Sequence, residues 1–141
     1  MALVSKASAE WRGDLTGAGV IALASSGRGS FPYSWKARSE GENGVTTPEE
    51  LLGAAHAGCF AMALSNELAS LGYAPVSVQA SAAVVFDPAA GGIQSSHLVV
   101  TADVPDIDAD EFRSIAEGAK DNCPVSKALA GLAVTLEANL V

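Results

Sequence analysis

The sequence predicts an α+β fold in which antiparallel sheets wrap one long, buried central helix. Three observations predict this fold. A largely apolar segment of helical length occupies residues 48–71, short β-type runs lie before and after it, and turn residues separate these runs. Strands and helices that follow one another without regular alternation are typical of α+β proteins. Because a chain of 141 residues is long enough to bury one core, we expect a single domain over residues 1–141.

Before the central helix, the sequence predicts three strands. The runs ASAEWRGD (7–14) and GAGVIALA (17–24) are of β type and are separated by a turn, so they predict a hairpin. The run PYSWKARS (32–39) alternates polar and aromatic residues and predicts a third strand. The turn-rich stretch GENGVTTP (41–48) then ends the sheet.

The strongest local signal is the start of the central helix. Thr47 fits the N-cap position, Pro48 the first helical position, and Glu50 the third position of a capping box. The helix should run to about Leu71, and Gly72 should end it. Such a helix is roughly 36 Å long.

The central helix also predicts the oligomeric state. From Leu51 to Leu64 it is apolar or small on every face apart from His56, so it must be wrapped on all sides. The few strands of one subunit offer too little surface to enclose it. We therefore expect an obligate homodimer in which the central helices of two subunits pack against each other.

After the central helix, the sequence predicts a second hairpin, two helices and a closing strand. The PAAG turn joins the two strands of the hairpin, and Asp108 or Asp110 fits the N-cap of the first helix. These elements are the strands VSVQASAAVVFD (76–87) and GIQSSHLVVTADV (92–104), the helices 107–122 and 123–131, and the alternating strand LAVTLEANL (132–140).

The composition excludes several classes of function. The formal net charge is −8 at pH 7, so nucleic acids and anionic membranes are poor partners. No apolar run reaches the ~18–20 residues that a membrane span needs. The N-terminal segment MALVSKASAEW contains no apolar stretch of signal-peptide length. We therefore expect a cytoplasmic protein with no nucleic-acid or membrane partner.

Two cysteines are the candidate reactive groups. In a reducing compartment a structural disulfide between Cys59 and Cys123 is not expected, so the pair is either inert or chemical. Burial among alanines would raise the pKa of Cys59. Cys123 directly precedes Pro124 at a predicted helix N-terminus, where the helix dipole favours a thiolate. Residue physics alone therefore favours Cys123 as the nucleophile.

His56 lies three residues before Cys59, on a neighbouring face of the helix. A zinc site would use His56, Cys59, Cys123 and Glu49, but no C-x-x-C or H-x-x-x-H pair supports it. A hydrogen-bonded core histidine is the preferred interpretation of His56.

Two motifs carry a resemblance to a known family. Residues 38–65, RSEGENGVTTPEELLGAAHAGCFAMALS, and residues 121–129, DNCPVSKAL, resemble the OsmC/Ohr family of thiol peroxidases, and the R-x-E-G-E arrangement resembles its OsmC branch. The resemblance implies an OsmC-like intertwined homodimer with two active sites at the interface. It further implies that Cys59 attacks the peroxide, that Cys123 resolves the sulfenic acid as an intramolecular disulfide, and that Arg38 and Glu49 are the family's arginine and glutamate.

The resemblance also implies a substrate class. A guanidinium beside the sulfur would stabilise the thiolate and the leaving alkoxide, and Glu49 would hold Arg38 by a bidentate ion pair. Apolar residues near Cys59, with Phe60 and Met62, would favour organic hydroperoxides over hydrogen peroxide. No haem, flavin or metal cofactor is required, and an external thiol or dithiol must regenerate the enzyme.

The spacing along the helix predicts which subunit supplies the arginine. Glu49 and Cys59 are ten residues apart on one predicted helix, which separates them by roughly 15 Å along its axis. Either the helix begins later than Pro48 and a bend brings Glu49 back, or an antiparallel partner helix carries Glu49 to the thiol of the other subunit. The capping signal at Thr47 to Glu50 argues against a late start, so we favour a site in which Arg38 and Glu49 of one chain serve the thiols of the other.

Two other functions stay open at this point. One is a non-redox carrier of hydrophobic ligands with structural thiols. The other is a cysteine hydrolase or acyltransferase that would use Cys59 and His56, although no carboxylate partner for His56 can be identified in the sequence.

Overall fold

The computed structural model describes residues 1–141. Backbone contacts divide the chain into two compact units, Met1–Leu51 and Leu52–Val141, which are described in turn. The expectation of a single domain over the whole chain stays a prediction. No helix of the chain has both the length and the apolar character that crossing a membrane requires.

The first unit contains a three-stranded antiparallel sheet in the order β1-β2-β3. Its strands are β1 (Ser8–Arg12), β2 (Ala18–Ala22) and β3 (Ser30–Ser34). Pairing of Ser8 with Ala22 and of Arg12 with Ala18 confirms the predicted hairpin.

The third strand ends earlier than predicted. The prediction of a strand over 32–39 is wrong for residues 35–39, which are helical. A short helix, α1 (Trp35–Glu40), follows β3 directly. The Ser34 side chain caps this helix by accepting a hydrogen bond from the Ala37 N–H at 3.0 Å. A serine N-cap followed by good helix formers favours a helical turn over the alternation that suggested a strand.

The central helix α2 spans Pro48–Ser70, close to the predicted bounds. The Thr47 hydroxyl accepts the Glu50 N–H at 3.0 Å, which confirms the N-cap. The reciprocal half of the capping box does not form, because the Glu50 carboxylate instead accepts a hydrogen bond from the Thr46 hydroxyl at 2.5 Å. Gly72 follows the helix with φ 93°, the left-handed conformation expected of a glycine that ends a helix.

The second unit contains the sheet β4-β5-β6. Its strands are β4 (Ser77–Asp87), β5 (Gly92–Asp103) and β6 (Ala133–Leu140). The hairpin of β4 and β5 is antiparallel as predicted. In contrast, β5 and β6 are parallel, so the expectation of purely antiparallel sheets is wrong for this pair.

The parallel pairing has a simple cause in the intervening chain. Between β5 and β6 lie α3 (Ala109–Asn122) and α4 (Pro124–Ala128). A helical crossover of this length carries the chain back to the end of the sheet at which β5 begins, so the next strand runs parallel to β5. The Asp108 side chain accepts the N–H groups of Asp110 and Glu111, which identifies Asp108 as the N-cap of α3.

The core of the second unit lies between one face of this sheet and the helices α2 and α3. Its fully buried members come from alternate positions of β5 and from positions three or four residues apart on the two helices. They are Leu98, Val100 and Ala102 of β5, Phe60, Leu64 and Leu68 of α2, and Phe112, Ala116 and Ala119 of α3.

Within one chain, only one side of α2 is buried, although the sequence predicts burial on every side. The opposite side is exposed and consists largely of small or apolar residues, namely Ala54, Ala55, Gly58, Met62 and Ala69. Met62 alone is 71% exposed. We call these five residues the open face of α2.

Candidate active site

The fold brings the two cysteines together. Cys59 lies in the middle of α2, and Cys123 lies at the junction of α3 and α4. Both are free thiols, and they lie close enough for each to affect the pKa of the other. Cys123 is 0% exposed, whereas Cys59 is partly exposed. A small peroxide from solvent can therefore reach the sulfur of Cys59 more readily than that of Cys123.

The surroundings shift the pKa values of the two thiols in opposite directions. Burial raises the pKa of Cys59, and the N–H of Val125 opposes this effect only in part. Burial also acts to raise the pKa of Cys123, but hydrogen bonds from the backbone of Ser126, from Cys59 and from the Ser126 hydroxyl outweigh it and lower the pKa. Within one chain, Cys123 is thus the more acidic thiol, as residue physics predicts and opposite to what attack by Cys59 requires.

His56 is a hydrogen-bonded core histidine, as preferred from the sequence. It is 0% exposed, its Nδ1 lies 2.7 Å from the Ser96 hydroxyl, and its Nε2 lies 2.8 Å from the Ser126 hydroxyl. Burial lowers its pKa, so the ring is neutral at physiological pH. Both ring nitrogens are engaged by serines, and the chain has no group of three or more potential metal ligands.

Sequence reasoning missed Ser96 and Ser126. A single serine in a strand or in a short helix carries no distinguishing pattern, and only the fold brings these two hydroxyls to opposite edges of one imidazole ring. The same contacts weaken the hydrolase alternative, because a Cys–His pair needs one ring nitrogen on the sulfur and an orienting group on the other.

Arg38 and Glu49 form the ion pair that the sequence analysis expects. Arg38 lies in the last turn of α1 and Glu49 in the first turn of α2. The Arg38 Nε lies 2.9 Å and 3.1 Å from the two carboxylate oxygens, and Nη2 lies 2.6 Å from Oε1. Glu49 is only 6% exposed, so it fixes the guanidinium from a buried position while the arginine side chain stays 29% exposed.

An aromatic pocket of about 180 Å³ adjoins Arg38. Besides Arg38, it is lined by Trp11, Leu15, Tyr33, Ser34, Trp35 and Pro48. The rings of Trp11 and Tyr33 pack with centroids 5.2 Å apart at an angle of 54°. The sequence does not predict this pocket, because the alternation over residues 32–39 favours a strand through Trp35, whereas Trp35 begins α1.

The structure corrects the pocket residues expected from the sequence. Phe60 is 0% exposed and belongs to the core cluster with Leu64 and Leu98, so its side chain is not available to a substrate. Met62 is part of the open face of α2 and is largely exposed.

Comparison with known proteins decides the family. A family of OsmC-like proteins matches residues 41–138. The chain belongs to the OsmC family. Peroxiredoxin OsmC of Escherichia coli (strain K12) is 41% identical over 132 residues, which cover 92% of each of the two chains.

Solved structures with similar folds also carry names from the OsmC and organic hydroperoxide resistance group. An organic hydroperoxide resistance protein from Elizabethkingia anophelis has a TM-score of 0.74 at 23% identity and covers 100% of both chains. The organic hydroperoxide resistance protein OsmC from Legionella pneumophila has a TM-score of 0.71 at 21% identity, over 98% of this chain and 99% of that one. These similarities confirm the α+β fold class with its two three-stranded sheets and long central helix.

Proposed function

We propose that this OsmC-family protein reduces organic hydroperoxides, and more slowly hydrogen peroxide, through a sulfenic acid at Cys59 that Cys123 resolves as a disulfide. Its identity of 41% with peroxiredoxin OsmC over 92% of the chain supports a thiol-dependent peroxidase. The observation that carries the mechanism is the pair of neighbouring free thiols, in which Cys59 is partly exposed and Cys123 is completely buried.

The proposed reaction has two chemical steps. The Cys59 thiolate attacks the distal oxygen of ROOH, the O–O bond breaks, and the leaving alkoxide takes a proton to become an alcohol. The Cys123 thiolate then attacks the sulfur of Cys59–SOH, the S–S bond forms, and the hydroxide that leaves is protonated to water. An external thiol or dithiol reduces the disulfide, and the scheme uses no haem, flavin or metal. A reducing compartment, for which we propose the cytoplasm, would supply this reductant.

Activation of Cys59 needs a cation, because burial raises its pKa. We assign this role to Arg38, whose guanidinium is fixed by the buried Glu49 and is itself partly exposed. Helix α2 is continuous from Pro48 to Ser70, so the helical rise still separates Glu49 from Cys59 by roughly 15 Å along its axis. This separation supports a site that takes Arg38 and Glu49 from the partner subunit.

The open face of α2 supports the homodimer that such a site requires. It presents small and apolar side chains on the same helix that carries Cys59. Small residues such as Gly58 let a second helix approach closely, and burying the face removes apolar area from water. A second copy of the chain, packed helix against helix, would cover this face.

The aromatic pocket beside Arg38 supports the preference for organic substrates. Its tryptophan, tyrosine and leucine side chains would hold an alkyl or aryl group while the peroxide oxygens face the guanidinium. Replacing Leu15 by serine should raise the KM for cumene hydroperoxide and leave the KM for hydrogen peroxide unchanged.

The central test is stoichiometric. One equivalent of cumene hydroperoxide should consume both thiols of the wild-type chain and form a disulfide within one chain. Cys123→Ser should consume one equivalent and stop as a Cys59 sulfenic acid that a dimedone probe labels, whereas Cys59→Ser should consume none. If the wild type keeps both thiols after the peroxide treatment, the mechanism is wrong, and the carrier alternative becomes the better account.

Subunit mixing tests the origin of the cation. Inactive Cys59→Ser and Arg38→Ala homodimers, exchanged into heterodimers, would contain one complete site of two. These heterodimers should regain about half of the activity of a wild-type dimer, because a twofold dimer has two equivalent sites. If mass spectrometry shows exchange and no activity returns, each site is built within one chain.

A further inference from the structure

The aromatic pocket beside Arg38 depends on a glycine that is not one of its lining residues. Trp11 of β1, Gly19 of β2 and Tyr33 of β3 lie in one row across the first sheet, because Trp11 pairs with Gly19 and Gly19 pairs with Tyr33. Residues that pair in this way direct their side chains to the same face of the sheet. The two aromatic rings therefore stand on either side of a position that has no side chain.

The rings of Trp11 and Tyr33 meet above the middle strand. Neighbouring strands are about 4.8 Å apart, so the backbones of β1 and β3 are separated by roughly 10 Å. The ring centroids are only 5.2 Å apart, so both rings lean inward over β2. In the next row on this face, Ile21 is the middle residue between Ala9 and Phe31, and its side chain occupies the corresponding space. The missing side chain in the first row is what lets the two rings meet.

A side chain at Gly19 would collide with both rings. A Cβ built there lies 2.4 Å from Cε1 of Tyr33 and 2.9 Å from Cε3 of Trp11. It also lies 2.4 Å from the carbonyl oxygen of Glu10 on the neighbouring strand. All three distances are well inside van der Waals contact. Even a methyl group would therefore push the rings away from each other and strain the pairing of β1 with β2.

We propose that Gly19 is a specificity-determining residue, because it lets Trp11 and Tyr33 form the apolar wall that binds the organic group of the hydroperoxide. Gly19 acts through the two rings and has no contact of its own with the substrate, so it is a positioning residue. Its role rests on the proposed function, which places the organic group in the aromatic pocket.

A second contact of Trp11 extends the wall to the turn between β1 and β2. The Nε1–H of Trp11 donates to the carbonyl oxygen of Asp14 at 2.9 Å. The Asp14 carboxylate in turn accepts the N–H and the hydroxyl of Thr16, at 2.9 Å and 2.7 Å. The turn fixed in this way carries Leu15, which lines the pocket and is 57% exposed. Displacing the Trp11 ring would thus disturb both the wall and the leucine beside it.

The wall matters only for substrates that carry an organic group. Apolar and aromatic surfaces bind alkyl and aryl groups because contact removes both surfaces from water. Hydrogen peroxide has no such group, and in the proposed mechanism it needs only the guanidinium of Arg38. The wall should therefore increase the affinity for organic hydroperoxides and leave the reaction with hydrogen peroxide unchanged.

Equilibrium binding tests the role of Gly19 without turnover. The chain has two tryptophans, Trp11 and Trp35, and both line the pocket, so their fluorescence reports on its occupant. In a Cys59→Ser background, which lacks the thiol proposed to attack the peroxide, titration with cumene hydroperoxide gives its Kd. Gly19→Ala should raise this Kd by about 10-fold or more, the usual effect of a change of one methyl group in an apolar pocket.

A double substitution separates an effect through the rings from general damage to the fold. Tyr33→Leu removes one ring of the pair and should itself raise the Kd. Adding Gly19→Ala to Tyr33→Leu should then raise the Kd much less than Gly19→Ala does in the parent, because the two changes act on the same contact. Fully additive effects would overturn the proposal.

Gly118→Ala is the matched control. It adds the same methyl group to the chain at a position where nothing lies within 4 Å of the new Cβ, so the Kd should equal that of the parent. An unchanged Kd in a folded Gly19→Ala protein would overturn the proposal, and so would an equal rise in Gly118→Ala. If Gly19→Ala does not fold, Trp11→Phe takes its place. It keeps a ring, loses the N–H that holds the turn, and should raise the Kd by about 2- to 10-fold; an unchanged Kd would overturn the proposal.

Steady-state kinetics test the consequence for the reaction. In chains with both cysteines, Gly19→Ala should lower kcat/KM for cumene hydroperoxide by about 10-fold or more and leave kcat/KM for hydrogen peroxide at its wild-type value. An equal loss with both peroxides would overturn the role in specificity. If the Cys59→Ser parent binds cumene hydroperoxide but the wild type consumes none, the proposed peroxidase function fails, and the Kd values still decide the role of Gly19. If the wild type consumes the hydroperoxide but the parent does not bind it, the function stands and the role of Gly19 is overturned.

Discussion

The ion pair between Arg38 and Glu49 gives a sharp test of how the peroxidatic thiol is activated. Substituting Glu49→Gln keeps the size of the side chain and removes its charge. The wild-type carboxylate receives three short contacts from the guanidinium, between 2.6 Å and 3.1 Å. Glutamine can accept only at its carbonyl oxygen, and its NH₂ group faces the guanidinium N–H groups unfavourably.

The magnitude follows from the loss of a charge-assisted, bidentate interaction. Such hydrogen bonds contribute about 1.5–3 kcal/mol each, and the partial exposure of Arg38 reduces this value toward its lower end. Because ~1.4 kcal/mol corresponds to a factor of ten, we expect kcat/KM for cumene hydroperoxide to fall by about 10- to 100-fold.

The neighbouring glutamate supplies the control for this substitution. Glu50→Gln alters an exposed side chain in the same helical turn, bonded to Thr46, and should leave kcat/KM within about twofold of wild type. The assay is peroxide consumption with an excess of dithiothreitol, accompanied by thermal unfolding. Wild-type kcat/KM in a folded Glu49→Gln protein would refute the assignment of Arg38 as the activating cation.

Three further predictions concern stability and assembly. Gly58→Leu should abolish the dimer in sedimentation experiments, since nothing within the chain lies within 4 Å of a Cβ at Gly58 and only a partner can obstruct the new side chain. Leu64→Ala removes a 0%-exposed core side chain and should lower the free energy of unfolding by about 2–5 kcal/mol in denaturant titrations. Burial lowers the pKa of His56, so the unfolded chain binds the extra proton first and stability should fall as the pH drops below about 6.5. His56→Gln should flatten that part of the stability–pH curve, and an unchanged curve would contradict this account.

Local signals made most of the fold predictable. Thr47, Pro48 and Gly72 mark the ends of α2 by capping chemistry that depends only on neighbouring residues. The strands of the second unit follow from strict alternation along β4 and β6. The end of β3 was not predictable from alternation alone, because a serine N-cap competes with the strand pattern at Ser34.

Some residues of the candidate site could be predicted from the sequence, and others only from the fold. The two cysteines are candidates from their chemistry alone, whereas the roles of Cys59, Cys123, Arg38 and Glu49 were predicted from the motifs that resemble the OsmC/Ohr family. The parallel pairing of β6 and the positions of Ser96 and Ser126 depend on how distant segments meet, and sequence spacing carries no record of such contacts. The aromatic pocket was missed for a different reason, since α1 re-aims Trp35 relative to a continued strand.

Because the pKa values of the two thiols are shifted in opposite directions, the proposed peroxidase reaction depends on dimer formation. Within one chain, the acidic thiol is the buried Cys123, and the accessible Cys59 is the one whose pKa burial raises. Resolution needs an acidic Cys123, and the surroundings of this thiol lower its pKa within a single chain. Attack on peroxide needs an acidic Cys59, which on our proposal depends on Arg38 of a second chain. A dissociated subunit would then hold its reactive thiolate where peroxide cannot reach it, so the proposed cross-subunit site predicts that peroxidase activity falls in step with dimer dissociation on dilution. Constant activity per subunit below the dissociation constant would place the activating cation within one chain.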